Sequence, residues 1–501
     1  MARRAPTVVR RAGRRALREA RALRHTVDRR PRPNLLLFMT DQQRWDALGC
    51  VGSWVETPNL DALAAAGVRF ANGYTNAPVC IPTRVSLALG RYPHQHGVRH
   101  NKAYTLPPKR PTWMRAVRET GYATGLFGKL HLHRNQGDLR EREDLVRAYG
   151  YDYVDEVAGP RASAASRSNL TDLWHEAGVF DAYARDLKDR HETKPWLTRP
   201  SPLPLELYPD VYVGRQAASY LRSLGGRQPW FCTVSFSGPH EPWDAPEPYA
   251  SRYDPSRMPP PVEPDDDGHE RPQGHLDTVL AARRVDFEPG DVARLRANYA
   301  GNVSLIDDQI GEVMRAVEER GELDRTVVVF VSDHGEMNGD YGLLYKSNFL
   351  NGATRIPLIV SHPARRATAG AVAETPAELI DVGATLAELA GAGLPKRMRA
   401  RSLLPVLVDP SRVIREAALV EHRREAMVAS PHWKLAVNAA GEPYLLFDLR
   451  NDPAETRNLA GLTEYEAVEA DLRERLRQAI ESAGLGKRAQ GKSAVHALTA
   501  R

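Results

Sequence analysis

Residues 326–336 read Thr-Val-Val-Val-Phe-Val-Ser-Asp-His-Gly-Glu, an apolar and mostly β-branched run closed by Asp333 and His334. An uninterrupted run of this kind suits a strand covered on both faces, as in a largely parallel sheet, because a strand with one wet face would alternate. Four more runs share the design. Asn34–Thr40 precedes Asp41 and Gln42; Ala123–Gly128 precedes Lys129 and His131; Trp230–Phe236 precedes His240; and Ile356–Val360 follows Lys346 and Arg355. Open α/β sheets bind ligands beyond the carboxyl ends of their strands. All but the last of these runs deliver ionisable groups to that edge, which is therefore the expected site.

Helical signals separate the runs, as the α/β class requires. Thr57 as N-cap, Pro58 at the first position, Leu60 and Leu63 facing inward and Gly67 past the end predict one helix. Residues 111–121 predict a second. Residues 292–320, with Leu305, Ile310, Val313 and Val317 at helical spacing, predict a third that hands the chain to the 326–332 strand. Residues 158–275 mix helical pieces with many prolines, and 251–274 read as a surface excursion or lid. After about residue 413, short runs at 417–420, 426–429, 433–437 and 444–448 predict a small antiparallel sheet, covered by an amphipathic helix near 464–482. The expected organisation is a basic, disordered arm over 1–33, a large α/β domain over 34–412, a small α+β subdomain over 413–485 and a flexible tail over 486–501.

A chain of 501 residues that is 42% hydrophobic and 26% charged has the composition of a globular protein. None of its apolar runs is long enough to span a bilayer. The net charge of +6 is uneven: residues 1–33 hold 12 Arg, no Lys, one Glu and one Asp, a net +10 that leaves −4 on the remainder. The body thus lacks the sustained basic surface of a nucleic-acid binder, and no aromatic residue interleaves the arginines to stack on bases. The arm reads as a solvated tail, and no nucleic-acid partner is expected. It opens like an export signal but has no apolar core after the charges. Three cysteines, Cys50, Cys80 and Cys232, are too few for a disulfide framework in so long a chain. A reducing, cytoplasmic location is expected, with Cys50 and Cys232 as small buried residues.

The stretch Cys80-Ile81-Pro82-Thr83-Arg84, followed by Gly90-Arg91-Tyr92-Pro93, resembles the signature of type I, formylglycine-dependent sulfatases of the alkaline phosphatase superfamily. Further matches run in order from Asn34 to about Leu459: the Asp41 strand, Gly128-Lys129-Leu130-His131, Pro239-His240, Asp333-His334-Gly335-Glu336 and Phe447-Asp448-Leu449 with Asn451-Asp452-Pro453. The resemblance implies an alkaline-phosphatase-like α/β fold, a large mixed and mostly parallel sheet flanked by helices, with a small C-terminal antiparallel sheet and covering helix. It implies that a formylglycine-generating or other sulfatase-maturing enzyme oxidises Cys80, and that the product hydrolyses small-molecule or carbohydrate sulfate esters to alcohol and inorganic sulfate.

Chemistry gives these residue types a reason. A formylglycine hydrate offers two geminal hydroxyls: one, held by a divalent cation, attacks sulfur in line, and the other later expels the sulfate. Cys80 at the start of a helix would meet backbone N–H groups that favour a developing oxyanion. The resemblance implies a metal set of Asp41, Gln42, Cys80, Asp333 and His334. Hard carboxylate oxygens suit Ca²⁺ first, with Mg²⁺ or, given the imidazole, Mn²⁺ as alternatives. Gln42 and His334 stand where many members carry a second carboxylate and an Asn, a pairing similar to that of choline sulfatases and phosphonate monoester hydrolases. Arg84, Lys129 and Lys346 would neutralise the transferring group. His240 and Lys346 would protonate the leaving oxygen and His131 would take the hydrate proton, with Asn101 on the substrate side. His94, His96 and His133 read as surface or structural histidines. The alternatives are a phosphonate monoester hydrolase or phosphodiesterase using the same site, a non-catalytic anion-binding relative, and a nucleic-acid or membrane-associated scaffold acting through the arm. A homo-oligomer is compatible with all of them.

Overall fold

In a computed structural model of the chain, the described residues are 32–52, 54–226, 228–265, 268–484 and 493–499. The arm expected over 1–33 lies outside them apart from Arg32 and Pro33. The main sheet is built from β1 (Asn34–Thr40), β2 (Val68–Phe70), β3 (Ala123–Gly128), β4 (Tyr153–Glu156), β5 (Trp230–Ser235), β6 (Thr326–Ser332), β7 (Leu358–Ser361) and β8 (Ala371–Ala373). Their order across the sheet is β8-β2-β7-β6-β1-β5-β3-β4. All run parallel except β7, which is antiparallel to β6 and β2. Because β7 runs backwards, the chain entering it comes from the carboxyl edge. The stretch from Lys346 to Arg355 therefore joins the same edge as Asp41 and Asp333.

The unbroken apolar runs have the cause expected of them. Leu35 and Leu37 of β1 point into one core with Val327, Val329 and Val331, whereas Leu36 and Phe38 point into another with Val328 and Phe330. Each fully buried aliphatic side chain contributes about 1.5–3 kcal/mol. On the first face lie helices Cys80–Leu89, Trp113–Glu119 and Leu379–Leu389; on the second lie Pro58–Ala65, Pro209–Ser223 and Asp291–Glu319. The helices expected over 111–121 and 292–320 are present with slightly shifted ends. The helical pieces expected within 158–275 include one that belongs to the core. The Pro209–Ser223 helix packs Val211, Val213, Ala217 and Leu221 under the sheet. The Pro-rich stretch after Ser251 is pinned where Arg296 donates to Pro259 O at 3.1 Å and Pro260 O at 2.9 Å.

Strands β9 (Ala418–His422), β10 (Glu425–Ala429), β11 (Trp433–Val437) and β12 (Pro443–Asp448) form an antiparallel sheet in sequential order. One face packs Leu419, Val428, Leu435 and Leu446 against Leu472, Leu476 and Ile480 of the Glu466–Ala483 helix. The other packs Val420, Met427 and Phe447 against Phe349 and Leu350 of the main domain. Residues 494–499 correct the expected flexible tail: they form a helix whose Ala494, Val495 and Leu498 are buried in the same cluster, because these apolar positions recur on one side. Cys50 is a second correction, since it is exposed in the turn after β1, its N–H bonded to Asp61 Oδ1 at 2.9 Å; Cys232 is buried in β5.

A buried ion pair fastens the small sheet to the site-bearing loop. Lys434 is fully buried, pairs with Glu455, and donates to Phe349 O at 3.0 Å and Asn351 Oδ1 at 2.7 Å. Glu455 in turn accepts from Asn351 N at 2.6 Å. Removing one member of such a pair strands a charge out of water. Lys434→Ala is expected to cost about 3–5 kcal/mol in urea unfolding, whereas Lys434→Met with Glu455→Leu should cost far less. Equal losses in the two variants would show that the pair itself is not what matters.

Candidate active site

Strands β6, β1, β5 and β3 lie side by side, so Asp333, Asp41 and Lys129, far apart in sequence, leave neighbouring strand ends. Asp333 N donates to Thr40 O at 3.1 Å, and Asp333 Oδ1 accepts from Gln42 N at 3.1 Å and from His334 N at 2.8 Å. Gly128, at φ 93°, ends β3 where an added Cβ would lie 2.0 Å from Ser235 O, so only glycine lets Lys129 enter here. Gln42 and His131 follow with φ of 70° and 62°. Non-glycine residues in this region cost about 1–3 kcal/mol each, and such strain concentrates at functional sites.

Cys80 begins its helix, with Val79 extended before it. Its Sγ lies 3.1 Å from His334 Nε2 and 3.7 Å from Asp41 Oδ1. Asp41, Cys80, Asp333 and His334 are all buried and bring one ligand atom each within 4.8 Å of one another. Arg84, one turn on, reaches back as the sequence suggests: Nε donates to Asp333 Oδ2 at 2.8 Å, Nη2 to Asp41 Oδ2 at 3.2 Å and Nη1 to Lys129 O at 2.7 Å. Lys129 Nζ lies 2.7 Å from Asp41 Oδ2. Arg84 and Lys129 therefore brace the acidic pair as well as face the centre.

Burial opposes ionisation of both carboxyls. At Asp41 it is outweighed by Lys129, then His240, Arg84 and His334, which hold the group well below the usual carboxylate range. At Asp333 burial and the neighbouring Asp41 push it up. The two buried carboxyls repel one another, a repulsion that a bound cation between them would relieve. With a thiol and an imidazole beside them, the donor set fits one divalent cation. Burial and Asp41 raise the Cys80 thiol, but Lys346, His334 and a hydrogen bond from His131 carry it well below its ordinary value. His131 is pulled down to about 4 by burial and Lys129, and its Nδ1 is buried without a partner.

Beyond Cys80 opens a cleft of about 680 Å³ lined by Val79, Asn101, His240, Lys346 and Ser347 among others. Lys346 Nζ lies 3.0 Å from His240 Nε2 and also donates to Gln42 Oε1. Gln42 Nε2 donates to Glu241 Oε2 at 3.0 Å and to Glu336. The Gln42 amide is thus oriented by Lys346, Glu241 and Glu336. Asn101 lines the cleft, and its Oδ1 accepts from Ile81 N at 2.9 Å, satisfying an orphan donor of the helix start. Glu241, Glu336 and Arg161, which pairs with Glu241 at 3.1 Å, were not singled out from sequence. Glu241 follows the Pro239-His240 match and Glu336 is the last residue of the Asp333-His334-Gly335-Glu336 match, whereas Arg161 carries no local signal. His94, His96 and His133 are buried structural residues rather than surface ones: His94 N donates to Glu421 Oε2 at 3.0 Å, His96 Nε2 lies 2.9 Å from Ser86 Oγ and His133 Nε2 lies 2.7 Å from Glu156 Oε2.

A family model described as Sulfatase matches residues 33–392, and one described as N-sulphoglucosamine sulphohydrolase, C-terminal, matches residues 339–482. An arylsulfatase of Clostridium perfringens is 28% identical, covering 87% of this chain and 91% of its own length. A choline-sulfatase of Rhizobium meliloti is 30% identical over 86% of this chain and 82% of its own. Among solved structures, the phosphonate monoester hydrolase of Agrobacterium radiobacter superposes with a TM-score of 0.75 at 26% identity, covering 90% of this chain and 96% of that one.

Proposed function

The chain belongs to the sulfatase family and is a sulfuric ester hydrolase, and from that premise we propose that it releases sulfate in the cleft at residue 80, using formylglycine made from Cys80. The observation that carries the reading is the seat of Cys80: buried at a helix start, in contact with His334 and Asp41, and next in the chain to Val79, which lines a cleft with Lys346 and His240. Asp41, Asp333, His334 and residue 80, with Gln42 at their side, would hold one divalent cation, Ca²⁺ first and Mn²⁺ or Mg²⁺ as alternatives. It would supply charge neutralisation and Lewis acidity.

The chain's own groups divide the remaining work. Arg84 and Lys129 hold the carboxyls in place and add positive charge behind the transferring group. Lys346 and His240, in mutual contact at the cleft, donate a proton to the leaving oxygen, while His131, kept neutral by burial and Lys129, accepts one at residue 80. Asn101 fixes the first turn of the helix that presents residue 80. No described helix is long and apolar enough to cross a membrane. A cytoplasmic location is part of the reading, supported by three free cysteines, as is maturation by a separate formylglycine-forming enzyme.

The second reading, hydrolysis of phosphonate monoesters or phosphodiesters, is favoured by Gln42 and His334 and by likeness to the Agrobacterium enzyme. Sulfuryl and phosphoryl transfer both need in-line attack with charge neutralisation. Matured protein assayed in parallel on 4-nitrophenyl sulfate, 4-nitrophenyl phenylphosphonate and bis(4-nitrophenyl) phosphate should show kcat/KM for the sulfate at least about tenfold above the others. The reverse order would assign the second reading.

A further inference from the structure

The inner and outer walls of the cleft differ in charge balance. On the inner wall Arg161 is neutralised by Glu241 at 3.1 Å. On the outer wall three separate segments converge: His100 from the loop after the Cys80 helix, Arg283 from the last residue of the His275–Arg283 helix, and His422 with Arg423 from the β9–β10 hairpin. Among the described residues neither Arg283 nor Arg423 has a carboxylate within ion-pair distance. The nearby Glu425 is occupied, its oxygens accepting from His275 N at 2.9 Å and Tyr444 OH at 2.8 Å.

Two observations say that this corner is built for a ligand. His422 is only 4% exposed, yet neither of its ring nitrogens has a partner, and the His275 ring beside it, at 5.0 Å, leaves Nε2 unpartnered as well. Buried polar atoms are normally satisfied. Arg423, the first residue of the two-residue hairpin loop between His422 and Glu425, takes φ 54°, where such turns prefer glycine or asparagine. The turn accepts strain to hold a guanidinium at the cleft. We propose that Arg283, His422 and Arg423 form a second anion subsite, which takes a carboxylate or a second sulfate on the leaving-group side, so that the substrate is an acidic sugar sulfate.

The subsite rests on the sulfatase reading for its partner anion. Charges of one sign crowd the corner: burial, then Arg423 and Arg283, pull His275 down to about 4. An arriving oxyanion relieves that repulsion and takes charge-assisted hydrogen bonds from both guanidinium groups. A cationic leaving group meets the same repulsion and is disfavoured.

Calorimetry on the full-length, metal-supplied Cys80→Ala protein tests this without turnover. Galactose 2,6-disulfate against galactose 6-sulfate probes a second sulfate, and galacturonic acid 2-sulfate against galactose 2-sulfate probes a carboxylate. At least one doubly charged member should bind about tenfold or more tighter than its singly charged counterpart, and adding R283Q with R423G should reduce that advantage to about twofold or less. The glycine suits the turn, and unchanged binding of galactose 6-sulfate shows that the cleft is intact. Equal binding within both pairs, or an advantage that survives R283Q/R423G, overturns the subsite. Failure of matured wild-type protein to cleave any sulfate ester would instead overturn the sulfatase reading, and the binding comparison would still decide the subsite.

Discussion

Cys80→Ala is expected to lower kcat on 4-nitrophenyl sulfate by at least about 10⁴-fold, the scale seen when a covalent nucleophile is removed. The side chain is 2% exposed and small, so its truncation leaves little cavity and the melting temperature should move by only a few degrees. Loss of activity with retained stability then isolates chemistry from folding. Protein made without a maturing enzyme should resemble the alanine variant, because a thiol cannot form the geminal diol that attacks and then expels sulfate. Mass spectrometry of the peptide containing residue 80 checks the link, since aldehyde content and kcat should rise together. High activity from protein that retains an unmodified thiol would remove formylglycine from the mechanism.

Asp333→Asn should weaken divalent-cation binding at least about 100-fold and lower kcat/KM by about 10³-fold. The carboxylate accepts from Arg84, from Gln42 N and from His334 N, so it orients three neighbours and also supplies charge. Asparagine keeps the size and one acceptor oxygen, which separates lost charge from lost packing. Chelation of wild-type protein should reproduce the loss and added Ca²⁺ should reverse it, whereas the variant should recover only at much higher cation concentration. Calorimetric titration of the metal reads the affinity directly. Full activity after exhaustive chelation would show that Asp41, Asp333 and His334 serve as a hydrogen-bonded brace alone.

Runs that pack on both faces cannot alternate, so β1, β3 and β6 announced themselves by continuous apolar sequence, and the groups that ended them had to lie at one edge. Cys80 at a helix start and Arg84 one turn later were equally readable, because helical geometry fixes which side chains share a face. Other features depend on contacts with no local signature. The direction of β7 is set by its partners β6 and β2, not by its own four residues. Whether Cys50 is buried depends on where the turn after β1 meets the surface.

The chain alone therefore determined the α/β class and the strand ends that carry Asp41 and Asp333, since these follow from periodicity, while the proposed nucleophile at Cys80 and the roles of its basic neighbours rest on a resemblance carried by motifs of fixed spacing. Tertiary structure alone decided how Gln42 is oriented between Lys346 and Glu336, how Lys434 joins the small sheet to the site, and that His100, Arg283 and Arg423 meet at one wall. The physical reason is range. Hydrogen bonding and side-chain periodicity act within a turn or a strand and leave a pattern in sequence, whereas charge and burial act through space between segments that lie far apart in sequence.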